Sequence, residues 1–486
     1  MTDDTDGETD AGSINVGLES LKGLIAKFAQ AILGFVGTIL FARILGPTSF
    51  GGFYFLFSIV TLATRPVGGF GNAIRKRFSE HGASRSEILG SVFLFTAGTF
   101  VIVGVAVWLL QDLITARANV GNAALVFFLL FATISLFLPI QKLLGGAGYP
   151  ALQAWNDTLR SVVTLPLQIA FVVTGAGAAG MGYGLAGATF ITIPVALFVV
   201  RTRPTIPSRE TIRSLWSYAR YSIPTALLGS AYGRFDVVVL GTFLSTATVG
   251  YYEVAYRLTV PATFMTTALA GALMPKVSNL HSRGKTVAND ITNAIAYNSV
   301  LAIPLFFGAA ALSRELVVTI YGGKYTAAAN FLVGLALYQV FATQTSIYQR
   351  TISGVDRPDI EFRIDTVTLA FNIVVGIALL YVWGAIGVVV ASVLAEFVRT
   401  FLSARSAKDL VPDIELIPRP LLEQMAAGAL MFLAVKALNS SVRIRSWIPL
   451  LALVGVGAIV YGFSLFAISG HARTTLRSVY ADATDR

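Results

Sequence analysis

The feature that most restricts this chain is the recurrence of apolar runs, each close to the roughly 20 residues that cross ~30 Å of hydrocarbon as a helix. Runs bounded by Gly, Pro or charge fall at about residues 21–41, 50–70, 88–110, 123–144, 159–174 and 181–200. A second series falls at 221–244, 252–274, 291–312, 327–348, 366–382 and 386–402, and a final pair at 421–438 and 447–469. Hydrocarbon offers no partner to backbone N–H and C=O groups, so such spans have to be helical. The fold class expected is therefore all-α, a polytopic membrane protein of about fourteen transmembrane helices. Composition agrees, because 13% charged residues, against roughly 25% in an ordinary soluble domain, cannot cover a soluble surface.

The net charge of +10 does not point to nucleic acid as a partner, since the basic residues sit in short segments between apolar runs instead of forming one stripe. With the N-terminus inside, the inner segments hold Arg75, Lys76, Arg77, Arg85, Lys142, Arg160, Arg201, Arg203, Arg209, Arg213 and Arg220, and further groups follow the same alternation as far as the tail. The opposite loops hold only Arg43, Arg117, Arg314, Lys324, Lys436, Arg443 and Arg445. The positive-inside rule then places both termini in the cytoplasm of a prokaryotic cell membrane. Residues 1–20, acidic and polar, read as a disordered cytoplasmic tail and not as a signal peptide, and point to a salt-loving source, a halophilic archaeon for example.

Several chemistries are excluded. Cysteine is absent, and His81, His281 and His471 all fall in polar segments, which leaves no thiolate, disulfide or histidine-relay site. No GxxxxGK[ST] segment occurs, and the longest external connection, about Ser313 to Ala327, is too short for a catalytic domain. The expectation is a transporter and not an enzyme, without metal or cofactor, driven by an ion gradient or the membrane potential.

Compared with itself at an offset of about 200, the chain matches in order along both halves. Leu45–Tyr54 (LGPTSFGGFY) lies over Leu244–Glu253 (LSTATVGYYE), and His81 over His281. Gly145–Thr158 (GGAGYPALQAWNDT) lies over Ser353–Thr366 (SGVDRPDIEFRIDT), and Tyr183–Gly187 (YGLAG) over Trp383–Gly387 (WGAIG). Six helices, an even number, separate the halves, so the repeat is parallel. The layout expected is an N-terminal six-helix bundle over 21–200, a cytoplasmic linker over 201–220, a second bundle over 221–403 and a linker over 404–420. A helix pair over 421–469 and a cytoplasmic tail over 470–486 complete it. Asp157 and Asp365, each followed by Thr and an apolar run, read as N-caps of the fifth and eleventh helices.

Charge at membrane depth costs about 2.5 to 3.5 kcal/mol per residue on insertion scales, so it marks function or a partner. The candidates are Arg65, Arg234, Asp236, Glu253 and Arg257. Gly34, Val36, Tyr54 and Ser58 stand at the repeat-equivalent places of the last four, so these charges are not demanded by the scaffold and are read as ligand-facing. Glu253 and Arg257 at i, i+4 also fit a mutual ion pair. Arg65 lies ~15 Å along a helix from the Arg75 cluster, far for snorkelling. Arg234 and Asp236, two residues apart, point to different sides and cannot neutralise each other. Arg43 and Glu396 read as interfacial anchors near helix ends, with Arg43 a candidate for lining an outer vestibule. A cleft rich in guanidinium suits phosphate or pyrophosphate, whereas a drug-cation exporter calls for buried carboxylates in excess.

Ala42–Ser58 (ARILGPTSFGGFYFLFS) resembles the first hairpin of the polysaccharide-export flippases, the oligosaccharide or O-antigen branch of the multidrug/oligosaccharidyl-lipid/polysaccharide exporter superfamily. Asp236–Arg257 (DVVVLGTFLSTATVGYYEVAYR), Met274–Leu280 (MPKVSNL) and Ile320–Leu332 (IYGGKYTAAANFL) resemble that family at matching places. The similarity runs from about residue 20 to 403. It implies two six-helix bundles around a central cavity, and alternating access that turns a polyprenyl or dolichyl phosphate-linked oligosaccharide to the outer face. It also implies membrane lipids as partners, together with glycosyltransferases or an oligosaccharyltransferase of the same pathway, and cavity arginines such as Arg65 and Arg257 for the pyrophosphate. The alternatives are a multidrug or small-metabolite antiporter on the same fold and, less well supported by the short loops, a membrane glycosyltransferase.

Overall fold

The computed structural model describes residues 16–80, 84–283, 285–441, 444, 446–470 and 473. Most of the acidic N-terminal stretch, His81, His471, Arg443, Arg445 and the end of the tail lie outside the described residues. The elements are α1 (Val16–Phe78), α2 (Arg85–Ala118), α3 (Ala123–Gly146), α4 (Pro150–Phe171), α5 (Gly177–Val200), α6 (Arg209–Phe243), α7 (Thr246–Thr259) and α8 (Phe264–Ser282). Then come α9 (Ala288–Asn298), α10 (Ala302–Tyr321), α11 (Ala329–Gly354), α12 (Pro358–Trp383), α13 (Ala385–Leu410), α14 (Arg419–Ser441) and α15 (Trp447–Ile468). Among the described residues twelve helices are long and apolar enough to cross a membrane. The two longest break at glycines of positive φ, Lys27–Phe78 at Gly46 (φ 72, ψ 172) and Pro150–Val200 at Gly175 and Gly177, and Ala288–Tyr321 bends at Leu312. The number of passages therefore depends on whether a broken helix counts once or twice.

The chain divides into two compact units. Of the described residues, the first comprises those up to 40 and from 52 to 234, the second 41–51 and those from 235 on. In the first, Phe70, Ile74 and Phe78 of α1 pack with Ile88, Leu89 and Val92 of α2 and Leu215 of α6. Residues 201–208 are strapped to the start of α2: Thr205 N–H donates to Ser86 O (3.1 Å), and Glu87 accepts from Ser208 N–H (2.9 Å) and the Thr211 hydroxyl (2.6 Å). In the second unit α14 and α15 pack on α10 through Met431, Val435, Leu453 and Ile303.

The repeat is visible in local backbone geometry within each unit. Pro150 and Pro358 each open a helix at its first turn, where their missing N–H has no partner to lose. Each follows a left-handed residue two positions earlier, Gly148 (φ 90) and Asp356 (φ 61). Asp157 and Asp365 therefore lie two turns inside α4 and α12, and neither is an N-cap. The proline, not the aspartate, sets the start. Asp157 pairs instead with Arg160 at 3.3 Å, and Asp365 with Arg399 at 2.8 Å.

The hairpins that follow correct the register of the repeat. Gly177 (φ 55, ψ −135) and Gly384 (φ 61, ψ −139) adopt one conformation, so Gly-Ala-Ala-Gly at 177–180 corresponds to Gly-Ala-Ile-Gly at 384–387. The Tyr183–Trp383 alignment is seven residues out. Geometry explains the signature. A Cβ on Gly180 would meet the backbone of Phe171 and Val172, and one on Gly387 the backbone of Leu379, so only glycine lets these antiparallel helices approach so closely.

Candidate functional site

The first unit concentrates positive charge inside its helices. Arg65 of α1 is half-buried, its Nε has no hydrogen-bond partner, and the positive fields of Arg234 and Lys142 overlap with it. Lys142 of α3 in turn feels Arg75 and Asp157. Arg234, in the last third of α6, has its guanidinium 5.7 Å from the ring centre of Phe57, a cation–π contact that helps to hold it in place. Arg160 of α4 lies over Phe137 at 4.7 Å and on Asp157. Arg65, Lys142, Arg160 and Arg234 thus lie in one unit, with Asp157 beside Arg160 and Lys142. Like charges repel, and more strongly where water is scarce; an anion that enters among them relieves that repulsion.

Carboxylates in the second unit are differently placed. Asp236, buried, accepts from the Tyr252 hydroxyl through one oxygen and from the Ser392 hydroxyl through the other, both at 2.7 Å. Both oxygens are engaged within the scaffold. Glu253, 2% exposed, lies 3.7 Å from Arg257, the i, i+4 pair expected from the spacing. Glu396 is not an interfacial anchor. It is fully buried within α13, 3.7 Å from Arg399, which also holds Asp365, because the helix runs on to Leu410 and leaves residue 396 near its middle. Arg43 donates to the carbonyls of Ile320 (2.8 Å) and Thr319 (2.6 Å) and stacks on Trp447 at 5.6 Å. It thereby caps the C-terminal end of α10, where orphan carbonyls and the helix dipole favour a cation.

Of the six sequence candidates, then, Arg65 and Arg234 are brought together, while Arg257, Glu253, Asp236 and Arg43 have scaffold partners in the second unit. Sequence reasoning assigned Lys142 to a loop, although it lies inside the apolar run 123–144. A lysine within its own span was the signal.

The sequence of the whole chain has relatives of the same length. It is 25% identical over 465 residues to "Probable flippase AglR" of Haloferax volcanii, covering 94% of this chain and 97% of that one. It is 26% identical over 395 residues to "Probable low-salt glycan biosynthesis flippase Agl15" of the same organism, covering 81% and 83%. Among solved structures, "Lipid II flippase MurJ, inward closed conformation" superposes with a TM-score of 0.79 at 16% identity, over 93% of this chain and 98% of that one, which shows a shared fold. The family described as "Polysaccharide biosynthesis protein" matches residues 40–330, more than half of the chain and including Arg43, Arg65, Lys142, Arg234 and Arg257. A many-helix membrane chain with this fold and this match belongs to the polysaccharide biosynthesis protein family.

Proposed function

We propose that the protein moves a polyprenyl or dolichyl phosphate-linked oligosaccharide from the cytoplasmic to the outer leaflet by alternating access, for surface polysaccharide assembly or protein glycosylation. The observation that carries this reading is Arg65, half-buried inside α1 with a guanidinium Nε that meets no hydrogen-bond partner. Relatives named as flippases support it. In this reading Arg65 and Arg234 hold the phosphate, whose bidentate geometry matches a guanidinium that stays charged when desolvated. The basic ends of the helices face the cytoplasm, the broken helices count twice to give about fourteen passages, and enzymes that build or transfer the glycan act before and after this step.

Loss of the protein is expected to leave lipid-linked glycan accumulating on the cytoplasmic leaflet with its sugar composition unchanged, because translocation makes no bonds. Leaflet-selective labelling combined with mass analysis of the lipid-linked pool measures both. A glycan shortened by one sugar points to an enzyme and rejects the reading. Reporter fusions after Lys76, Arg209 and Lys408 are expected to report cytoplasm, and those near Asn119 and Ser441 the outside. Inversion at more than one of these overturns the topology.

A further inference from the structure

The first unit holds a cavity of about 740 Å³ at the foot of α1, against the end of α3 and the start of α6. Its α1 wall contains Asn72, Arg75 and Lys76, and Ser79 follows in the turn just after the helix. Arg65 and Asn72 are spaced by seven, two helical turns, so they share one face, with Asn72 ~10 Å below Arg65 at 1.5 Å per residue. A phosphate held at Arg65 therefore has this cavity directly beneath it along the helix, where the group bonded to the phosphate has to hang.

The lining has the chemistry of a saccharide site. The α6 wall adds Tyr218, Ser222 and Thr225, so amide and hydroxyl groups outnumber cations. That mixture suits the many hydroxyls of a sugar and differs from the convergent cations a phosphate demands. Tyr218 supplies an aromatic face, with the Lys76 ammonium 4.9 Å from its ring centre. Arg75 lies beside the bare backbone of α3, where a Cβ on Gly145 would stand 2.6 Å from Gln153 Oε1 and 3.3 Å from Arg75 Nε, so the glycine leaves room for both polar groups. Two cations among neutral polar groups favour a sugar that carries a negative substituent.

We propose that this cavity is a saccharide subsite that receives the sugars next to the lipid phosphate and selects for one bearing a carboxylate through Arg75 and Lys76. The proposal rests on the lipid-linked oligosaccharide reading above and adds the substrate's charge to it.

The test is calorimetric titration of the full-length purified protein with a free diuronate disaccharide, its neutral isostere and inorganic phosphate. Diuronate is expected to bind at least tenfold more tightly than the neutral disaccharide. Lys76→Gln and Arg75→Gln each lower diuronate affinity about tenfold and leave the neutral sugar nearly unchanged. Tyr218→Ala weakens both sugars, and Tyr218→Phe restores them. Lys76→Arg, which keeps the charge, shows that the fold tolerates change here, and Arg213→Gln on the exposed face of α6 controls for net charge. Equal binding of the two disaccharides, unchanged diuronate binding by Lys76→Gln, or displacement of diuronate by phosphate at matched concentration overturns the subsite. Since the readout is free saccharide, the two ideas fail separately. Diuronate binding through the cavity in a protein that moves no lipid-linked glycan supports the subsite and removes the flippase reading. Glycan movement with cavity variants that bind like wild type removes the subsite alone.

Discussion

Alanine at Arg65 or at Arg234 is expected to lower glycan export roughly ten- to a hundredfold at matched membrane abundance, because each guanidinium contributes a charge-assisted hydrogen bond to phosphate worth about 1.5 to 3 kcal/mol. Both residues lie within the helices of the first unit, and Arg65, half-buried with an Nε that meets no hydrogen-bond partner, carries a desolvation cost when no anion is present. The same argument fixes a second sign. Removing the half-buried Arg65 charge is expected to raise, or at least not lower, the melting temperature of the purified protein while export falls. Lysine at either site keeps the charge but loses the planar fork, so its export is expected to lie between wild type and alanine. Export close to wild type in both alanine variants shows the arginines to be scaffold, and the phosphate mechanism is then abandoned.

The other large effect belongs to two glycines of the second unit. A Cβ on Gly51 of α1 would collide with the backbone of Thr246 and Gly250, and one on Gly250 of α7 with the backbone of Pro47. The two contacts are the same contact seen from both sides. The alignment of Leu45–Tyr54 with Leu244–Glu253 places Gly51 over Gly250 and Pro47 over Thr246, so the repeat makes an isologous crossing here, backbone on backbone. A backbone cannot rotate aside as a side chain can, so overpacking at this point is expected to cost at least the usual 1–3 kcal/mol. Gly51→Ala and Gly250→Ala should each sharply reduce monodisperse protein in size-exclusion chromatography and lower its melting temperature, and by similar amounts. Gly455→Ala is the contrast: nothing stands within 4 Å of its Cβ position, and alanine's better helix propensity, about 1 kcal/mol over glycine, makes that change neutral or stabilising. Wild-type stability in Gly51→Ala or Gly250→Ala removes the crossing as a determinant of the fold.

Much of this protein was legible from one dimension. Apolar length alone determined that the chain is helical and membrane-embedded, since a bilayer about 30 Å thick accepts few other solutions. Charges inside those runs mark Arg65 and Arg234 as candidates for the same reason, because the cost of placing them there is set by depth. The i, i+4 pairing of Glu253 with Arg257 is local and was readable too. What the sequence left undecided is whatever depends on a partner distant in the chain. Asp236 looked like an unpaired charge until Tyr252 and Ser392 closed on its two oxygens, and Arg43 looked free until the carbonyls of Thr319 and Ile320 met it across some 277 positions. The register of the repeat was misread by seven at the hairpin glycines because Gly-x-x-Gly is common in such chains. Only the matching positive φ of Gly177 and Gly384, and the helix backbones that exclude a Cβ at Gly180 and Gly387, show which glycines correspond. Burial at a given depth is a property of the segment, and segments are written in the sequence. Neutralisation is a property of pairs, and pairs are chosen by the packing of helices against one another.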